Sequence, residues 1–175
     1  MTIENVSKKD ASALIDIYSV YVKNTAISFE YEVPSVEEFE SRIENISSRY
    51  PYIKAVDESG GILGYAYAGT FKGRRAYDWS VETTVYVKQD CRQKGVGRLL
   101  YEALEEKLKD KGILNMYACI AYTDKLDENL TNDSMHFHEA MGFELVGTFH
   151  KCGYKFDKWY DMIWMEKIIG EHVGC

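Results

Sequence analysis

Residues 81–100 read VETTVYVKQDCRQKGVGRLL. The stretch opens as a strand rich in Val, Thr and Tyr. It passes through a turn with two glycines, Gly95 and Gly97, and continues with apolar residues at helical spacing. Amides at a helix start lack internal partners, and the helix dipole makes that end positive. Glycines there let an anion approach the backbone. Lys88, Arg92, Lys94 and Arg98 surround the turn, with Asp90 opposing them. The arrangement suits a phosphate or pyrophosphate. It does not complete a dinucleotide fingerprint, because Leu100 stands where a third glycine is needed, and there is no Walker loop.

Outward from this turn the chain reads as a single domain over 1–170 followed by a frayed tail over 171–175. Residues 2–6 predict a strand. Ser7 and Asp10 suggest a helix cap, and Leu14, Ile17, Tyr18, Tyr21 and Val22 recur as one helical face. Residues 27–34 read as an extended loop. Ser35 and Glu38 form a capping box for a helix carrying Phe39, Ile43 and Ile46. Strands are expected at 52–56, 62–71 and 76–87, and a helix after Gly95 ends near Gly112. The apolar run 114–122 predicts a strand buried on both faces. A polar loop leads to a short helix over 132–141, and strands follow near 143–150 and 157–168. The order predicts an α+β domain, or an α/β three-layer one.

Composition narrows the function classes. The chain has 175 residues and a formal net charge of −7, which argues against a nucleic-acid partner held by bulk charge. The N-terminal residues lack the apolar stretch of a signal peptide, and no apolar run is long enough to span a membrane. The four cysteines fit no zinc spacing, so no metal is expected, and a cytoplasmic setting with reduced thiols is implied.

The form Arg92-Gln93-Lys94-Gly95-Val96-Gly97 resembles the pyrophosphate-binding segment of the GCN5-related N-acetyltransferases, the GNAT family. GYAYAGTFKGRRAYDWSVETTVYV, SMHFHEAMGFELVG and GYKFDKWYDMIWMEK resemble its phosphinothricin and methionine-sulfone acetyltransferase branch. The likeness runs from about residue 50 onward and is weaker before it. It implies a mostly antiparallel mixed sheet flanked by helices, acetyl-CoA as co-substrate, and acetyl transfer to the amine of a small molecule that carries a carboxylate.

The resemblance also implies site residues. Glu82 matches the general base. A carboxylate inside a strand is unusual, although an exposed Glu82 paired with a cross-strand cation is the alternative. His138 stands where many relatives have a tyrosine that donates a proton to the departing thiolate; packing or substrate orientation are its alternatives. Thr84, Val85, Tyr86 and Val87 match the strand that extends its hydrogen bonding to the pantetheine arm. Residues Arg92, Gln93, Lys94, Gly95, Val96 and Gly97 match the pyrophosphate turn. Asn132 and Ser134 are further coenzyme contacts, although the family spacing puts its asparagine at Thr131. Lys72, Arg74 and Tyr77 match contacts to the acidic end of the acceptor, and Phe29 a wall of its pocket. A guanidinium suits a carboxylate, and a cationic loop repels polyamines. Tyr117, Tyr122, Phe143, Tyr154, Phe156, Trp159 and Trp164 are expected mainly in the core. Lys155 and Trp159 fall in a segment expected to reach the second subunit of a homodimer. Two rivals remain open: a related enzyme with a polyamine, protein terminus or aminoglycoside as acceptor, and a coenzyme-binding sensor without catalysis.

Overall fold

The structure is a computed structural model, and it describes residues 1–174. Its strands are β1 (Thr2–Asn5), β2 (Tyr52–Val56), β3 (Ile62–Thr70), β4 (Ser80–Val87), β5 (Asn115–Tyr122), β6 (Glu144–Lys155) and β7 (Lys158–Ile168). Its helices are α1 (Ala11–Asn24), α2 (Val36–Ser47), α3 (Val96–Asp110) and α4 (Asp133–Ala140). The strands form one seven-stranded sheet in the order β1-β2-β3-β4-β5-β7-β6. Every neighbouring pair is antiparallel except β4 with β5. A parallel pair needs a crossover, and α3 supplies it.

Strand alternation explains the layers. Val81 and Thr83 of β4 are buried toward α3, where Leu100, Tyr101, Leu104 and Leu108 pack on Ala66, Ala68, Met116 and Ala118. On the opposite face Tyr52, Tyr65 and Tyr86 meet Tyr18, Tyr21 and Phe39 of α1 and α2. Ser35 caps α2 by accepting from the Glu38 amide at 3.1 Å, as its capping box predicts.

Several expectations shift. Residues 75–77 form a short 3-10 turn, and β4 begins only at Ser80. β6 continues to Lys155, past the expected end near 150. β5 is not buried on both faces. Met116, Ala118 and Ile120 are buried, but Tyr117 is half-buried and Cys119 exposed. The reason is that α1 and α2 cover only the β1–β4 half of that face. Tyr154 and Trp159 are also exposed rather than core residues. In the tail, 171–174 lie exposed without regular structure, although the His172 ring bonds Asn115 Oδ1 at 2.8 Å. The last residue of the expected frayed segment lies outside the described residues.

Candidate functional site

The β4–β5 pair is brief. Only Ser80, Val81 and Glu82 find partners, opposite Asn115, Met116 and Tyr117, and then the two strands diverge. At the fork, the Thr83 hydroxyl donates to the Tyr117 carbonyl at 3.1 Å in place of a ladder bond. Beyond it, Thr83–Val87 have β3 as their only strand partner; on the other edge the Tyr21 hydroxyl holds Val87, donating to its carbonyl at 2.5 Å, and the rest of that edge has no strand partner. Such an edge can pair with an extended amide-bearing chain.

A cavity of about 550 Å³ runs along this open edge to the start of α3. Val85, Val87, Arg92, Gln93, Gly95, Gly97 and Ser134 line it, with Tyr21 and Phe137. The turn is built as the sequence suggests. Gly95 precedes the first helical residue at φ 81°, and Gln93 is also left-handed at φ 61°. Left-handed residues beside helical ones turn successive amides toward one point and favour an anion. The first intrahelical bond into α3 reaches Leu99, which leaves the preceding amides without helix partners. A Cβ on Gly97 would come within 3.2 Å of the Phe137 ring, so α3 and α4 approach closely only over glycine.

Five predicted coenzyme contacts do not line this cavity: Thr84 and Tyr86 line the second cavity described below, and Lys94, Val96 and Asn132 line neither. Val96 is buried in the core beneath the turn. Asn132 has its amide turned onto the preceding loop, where Nδ2 donates to the Thr123 carbonyl at 2.9 Å and Oδ1 accepts from the Thr123 amide. Lys94 is exposed on the turn and does not line the cavity. Asp90 is not the only anion nearby: Asp133 pairs with Arg92 at 3.3 Å.

A second cavity, about 290 Å³, opens on the other side of the fork. Glu82, Thr84, Tyr86, Phe29 and His138 line it, together with Tyr67, Tyr101, Cys119 and Met162. Ile27, Val85 and Ser134 line both cavities, so the two adjoin at the fork. Glu82 is half-buried, and Gly69 is its β3 neighbour, so no cross-strand cation stands opposite it. Burial raises its pKa, and the Lys72 ammonium works against that rise.

His138 is 3 % exposed. Its Nδ1–H donates to the Ser134 carbonyl at 2.7 Å. That tautomer leaves Nε2 as an acceptor, and the Tyr101 hydroxyl meets it at 2.8 Å. Burial lowers the imidazole pKa to about 4, with the Ser134 carbonyl opposing. The ring is therefore neutral near pH 7 with its lone pair engaged. This geometry favours orientation over proton donation, one of the alternatives open from sequence. His136, two residues earlier, points outward, stands 3.1 Å from Glu139 and borders the first cavity.

Lys72, Arg74 and Tyr77 line neither cavity. They sit on the exposed loop between β3 and β4. Lys72 Nζ lies 5.0 Å from the Phe71 ring centroid and 5.5 Å from that of Trp164, which places its charge at the rim on the Glu82 side. Lys155 does not face outward toward a second subunit. It is buried, and its ammonium bonds carbonyls of its own chain. Sequence reasoning missed Tyr21, Ile27, Tyr67 and Tyr101. Tyr101 carries a signal in retrospect, since it falls on the same buried stripe of α3 as Leu104 and Leu108.

Neither cysteine in the two cavities is a ready nucleophile. Cys119 is open to solvent on one side, but the cavity walls around it desolvate the thiol and, with the Glu82 charge adding, push it up to about 12. Burial and then Asp90 raise that of Cys91. Among the described residues no group of three or more His, Cys, Asp or Glu side chains is placed to hold a metal ion.

Residues 3–164 match the acetyltransferase (GNAT) domain family. The chain belongs to the GNAT acetyltransferase family. It is 35% identical over 161 residues to a phosphinothricin N-acetyltransferase of Streptomyces viridochromogenes, covering 91% of this chain and 83% of that one. It is 32% identical to an L-methionine sulfoximine/L-methionine sulfone acetyltransferase of Pseudomonas paraeruginosa, over 94% of this chain and 92% of the other. A solved GNAT superfamily phosphinothricin acetyltransferase from Sinorhizobium meliloti, in complex with AcCoA, superposes with a TM-score of 0.88 at 32% identity, covering 97% and 88% of the two chains. The fold class and family expected from the sequence therefore stand, and the chain is an N-acetyltransferase.

Proposed function

We propose that this acetyltransferase acetylates the free amine of a small amino acid or analogue bearing an acidic group. Phosphinothricin and the sulfone and sulfoximine of methionine define the acceptor class. Acetyl-CoA is the acetyl donor. The observation that carries the reading is the position of Glu82, a half-buried carboxylate in a cavity that adjoins the glycine-turn cleft and shares Ile27, Val85 and Ser134 with it.

Each group has a task. The left-handed turn and the free amides of α3 receive the diphosphate, with Arg92 and Lys94 adding charge. The open edge of β4 receives the amide-bearing arm and directs the acetyl group to the fork. The acceptor arrives as an ammonium ion, and Glu82 takes its proton. A carboxylate whose pKa is raised by burial is a better base near neutral pH. The amine nitrogen then bonds to the acetyl carbon, the carbon–sulfur bond breaks, the electron pair leaves with sulfur, and the surplus proton on nitrogen passes to the thiolate, giving the amide and the free coenzyme thiol. With Cys91 and Cys119 both held as thiols, direct attack in a ternary complex is favoured over an acyl-cysteine route. His138 and Tyr101 fix α4 against α3 beneath the reacting groups. Lys72, Arg74 and Tyr77 form a rim able to meet the acceptor's acidic end.

A cytoplasmic setting accords with the free thiols of Cys91, Cys119 and Cys152. A homodimer accords with the exposed apolar residues Leu145, Val146 and Phe149 along edge strand β6.

The test is release of the coenzyme thiol from acetyl-CoA in the presence of amino acids, methionine sulfone, methionine sulfoximine, phosphinothricin, polyamines and peptides. Turnover with the acidic amino-acid analogues is expected. Turnover confined to polyamines or peptide N-termini would overturn the acceptor assignment, and coenzyme binding without any turnover would favour the sensor reading.

A further inference from the structure

Three consecutive residues at the end of β6 seat the wall of the acceptor cavity. Between Phe149 and Gly153 the pairing with β7 slips, since these residues face Met162 and Tyr160. Two extra residues are thereby accommodated in β6, and Lys151 turns left-handed at φ 50°. Asp161 pins the bulge by accepting from the Lys151 amide at 2.7 Å. Bulges bend a strand and re-aim the residues beyond them. Here Gly153, Tyr154 and Lys155 are turned onto the loop between α1 and α2.

Each makes one kind of contact. Gly153 lies under Phe29, where a Cβ would fall 2.4 Å from two ring atoms. The Tyr154 carbonyl accepts from the Tyr31 hydroxyl. Lys155, 4 % exposed, donates from Nζ to the carbonyls of Val22 at 2.8 Å, Thr25 at 2.9 Å and Ser28 at 2.6 Å. An ammonium has three protons, and all three are placed. Val22 lies in the last turn of α1, where carbonyls lack helix partners and the dipole favours a cation. Among the described residues no carboxylate lies within ion-pair distance of Nζ. Besides the Phe156 ring, whose centroid lies 5.2 Å away, only these carbonyls meet the buried charge, so it tolerates little displacement of them. The segment so fixed carries Ile27, Ser28 and Phe29, all of which line the acceptor cavity.

We infer that Gly153 and Lys155 set acceptor specificity: Lys155 is a positioning residue that fixes the loop, and the absent side chain at Gly153 lets Phe29 stand back and admit a long acceptor. The inference rests on the proposed acceptor site. A Gly153→Ala variant would push the ring toward the cavity. The KM for methionine sulfone and phosphinothricin should then rise about tenfold, with little change for alanine or for acetyl-CoA affinity. Adding Phe29→Leu to Gly153→Ala should restore the long acceptors. Lys155→Met should raise acceptor KM more than it lowers kcat, and amide exchange over residues 25–31 should quicken.

Equal losses for short and long acceptors, or no recovery in the double variant, would overturn the specificity role. Exchange over 25–31 unchanged in Lys155→Met would overturn the clamp, and this readout needs no activity and survives poor folding of Gly153→Ala. A wild-type protein that acetylates none of these amines would instead remove the proposed function, with the exchange measurement still deciding the clamp.

Discussion

The two cavities that meet at the β4–β5 fork are made of different materials. The larger offers a ligand backbone groups among its side chains: the edge of β4, two left-handed residues, and the first amides of α3. The smaller is mostly side chain: a carboxylate, an imidazole, tyrosines and a phenylalanine. Backbone is common to all sequences, so the first site is sensitive chiefly to side chains that intrude. The second depends on each group it presents. One chain can thus keep a constant donor site while its acceptor site changes, because mutation acts mainly on the second.

The sharpest way to separate them is Glu82→Gln. The isostere removes proton acceptance while keeping shape. We expect kcat to fall roughly 10²–10⁴-fold with acetyl-CoA affinity nearly unchanged, checked by steady-state kinetics and calorimetry. Undiminished kcat would remove Glu82 as base, and a parallel loss of coenzyme affinity would show that the two cavities are not independent.

His138 tests the buried layer beneath both. Its folded pKa, about 4, lies below the ordinary 6.5 because burial disfavours the cation. The unfolded chain therefore binds the extra proton first as pH falls. The stability associated with the neutral ring is fully present above about 6.5 and is lost progressively toward pH 4. At about 1.4 kcal/mol per unit the loss amounts to about 3 kcal/mol. Denaturant unfolding of His138→Gln should lack this part of the acid slope. An unaltered slope would mean that the ring titrates alike in the folded and unfolded chain, so that burial does not hold it neutral and proton donation near pH 6.5 is open to it again.

What could be read from sequence divides along the same line as the two cavities. The glycine turn was legible because Gly95 and Gly97 at a strand-to-helix junction have a direct backbone consequence, and the structure gives Gly95 its left-handed φ. Glu82 stood out because a carboxylate interrupts a strand-forming run, and the structure half-buries it in the smaller cavity. The face that Cys119 presents was not legible. MYACIAY is apolar throughout, and only the lateral extent of α1 and α2 decides that one side of β5 stays open. The role of Lys155 was also hidden. A lysine beside a turn reads as exposed until the bulge at 150–152 turns it inward onto carbonyls more than a hundred residues away. Asn132 misled because residue type does not reveal that its amide is occupied by Thr123. Long-range geometry specifies the acceptor side, and periodicity carries little of it.

A smaller effect, confined to the donor side, is expected from Gly97→Val. Two added methyl groups would press on the Phe137 ring and part α3 from α4 at the turn. Coenzyme affinity should weaken about tenfold, while acceptor KM at saturating acetyl-CoA stays nearly constant. Titration calorimetry and kinetics with varied acceptor would check the pair. A change in acceptor KM alone would place the α3–α4 contact in the wrong cavity.

The smallest effect belongs to Lys72, which joins the rim to the base through space. Its ammonium opposes the burial that raises the Glu82 pKa. Lys72→Met should therefore raise that pKa further, and the acid limb of kcat/KM should move to higher pH by a fraction of a unit. Because the lysine is exposed and screened, the interaction is worth at most about 1 kcal/mol, and the KM of an acidic acceptor should rise no more than roughly fivefold. Added salt should shrink the wild-type advantage over the variant. A limb that moves to lower pH would mean that Glu82 is not the group whose titration limits the reaction, since removing a cation cannot make a neighbouring carboxyl easier to ionise.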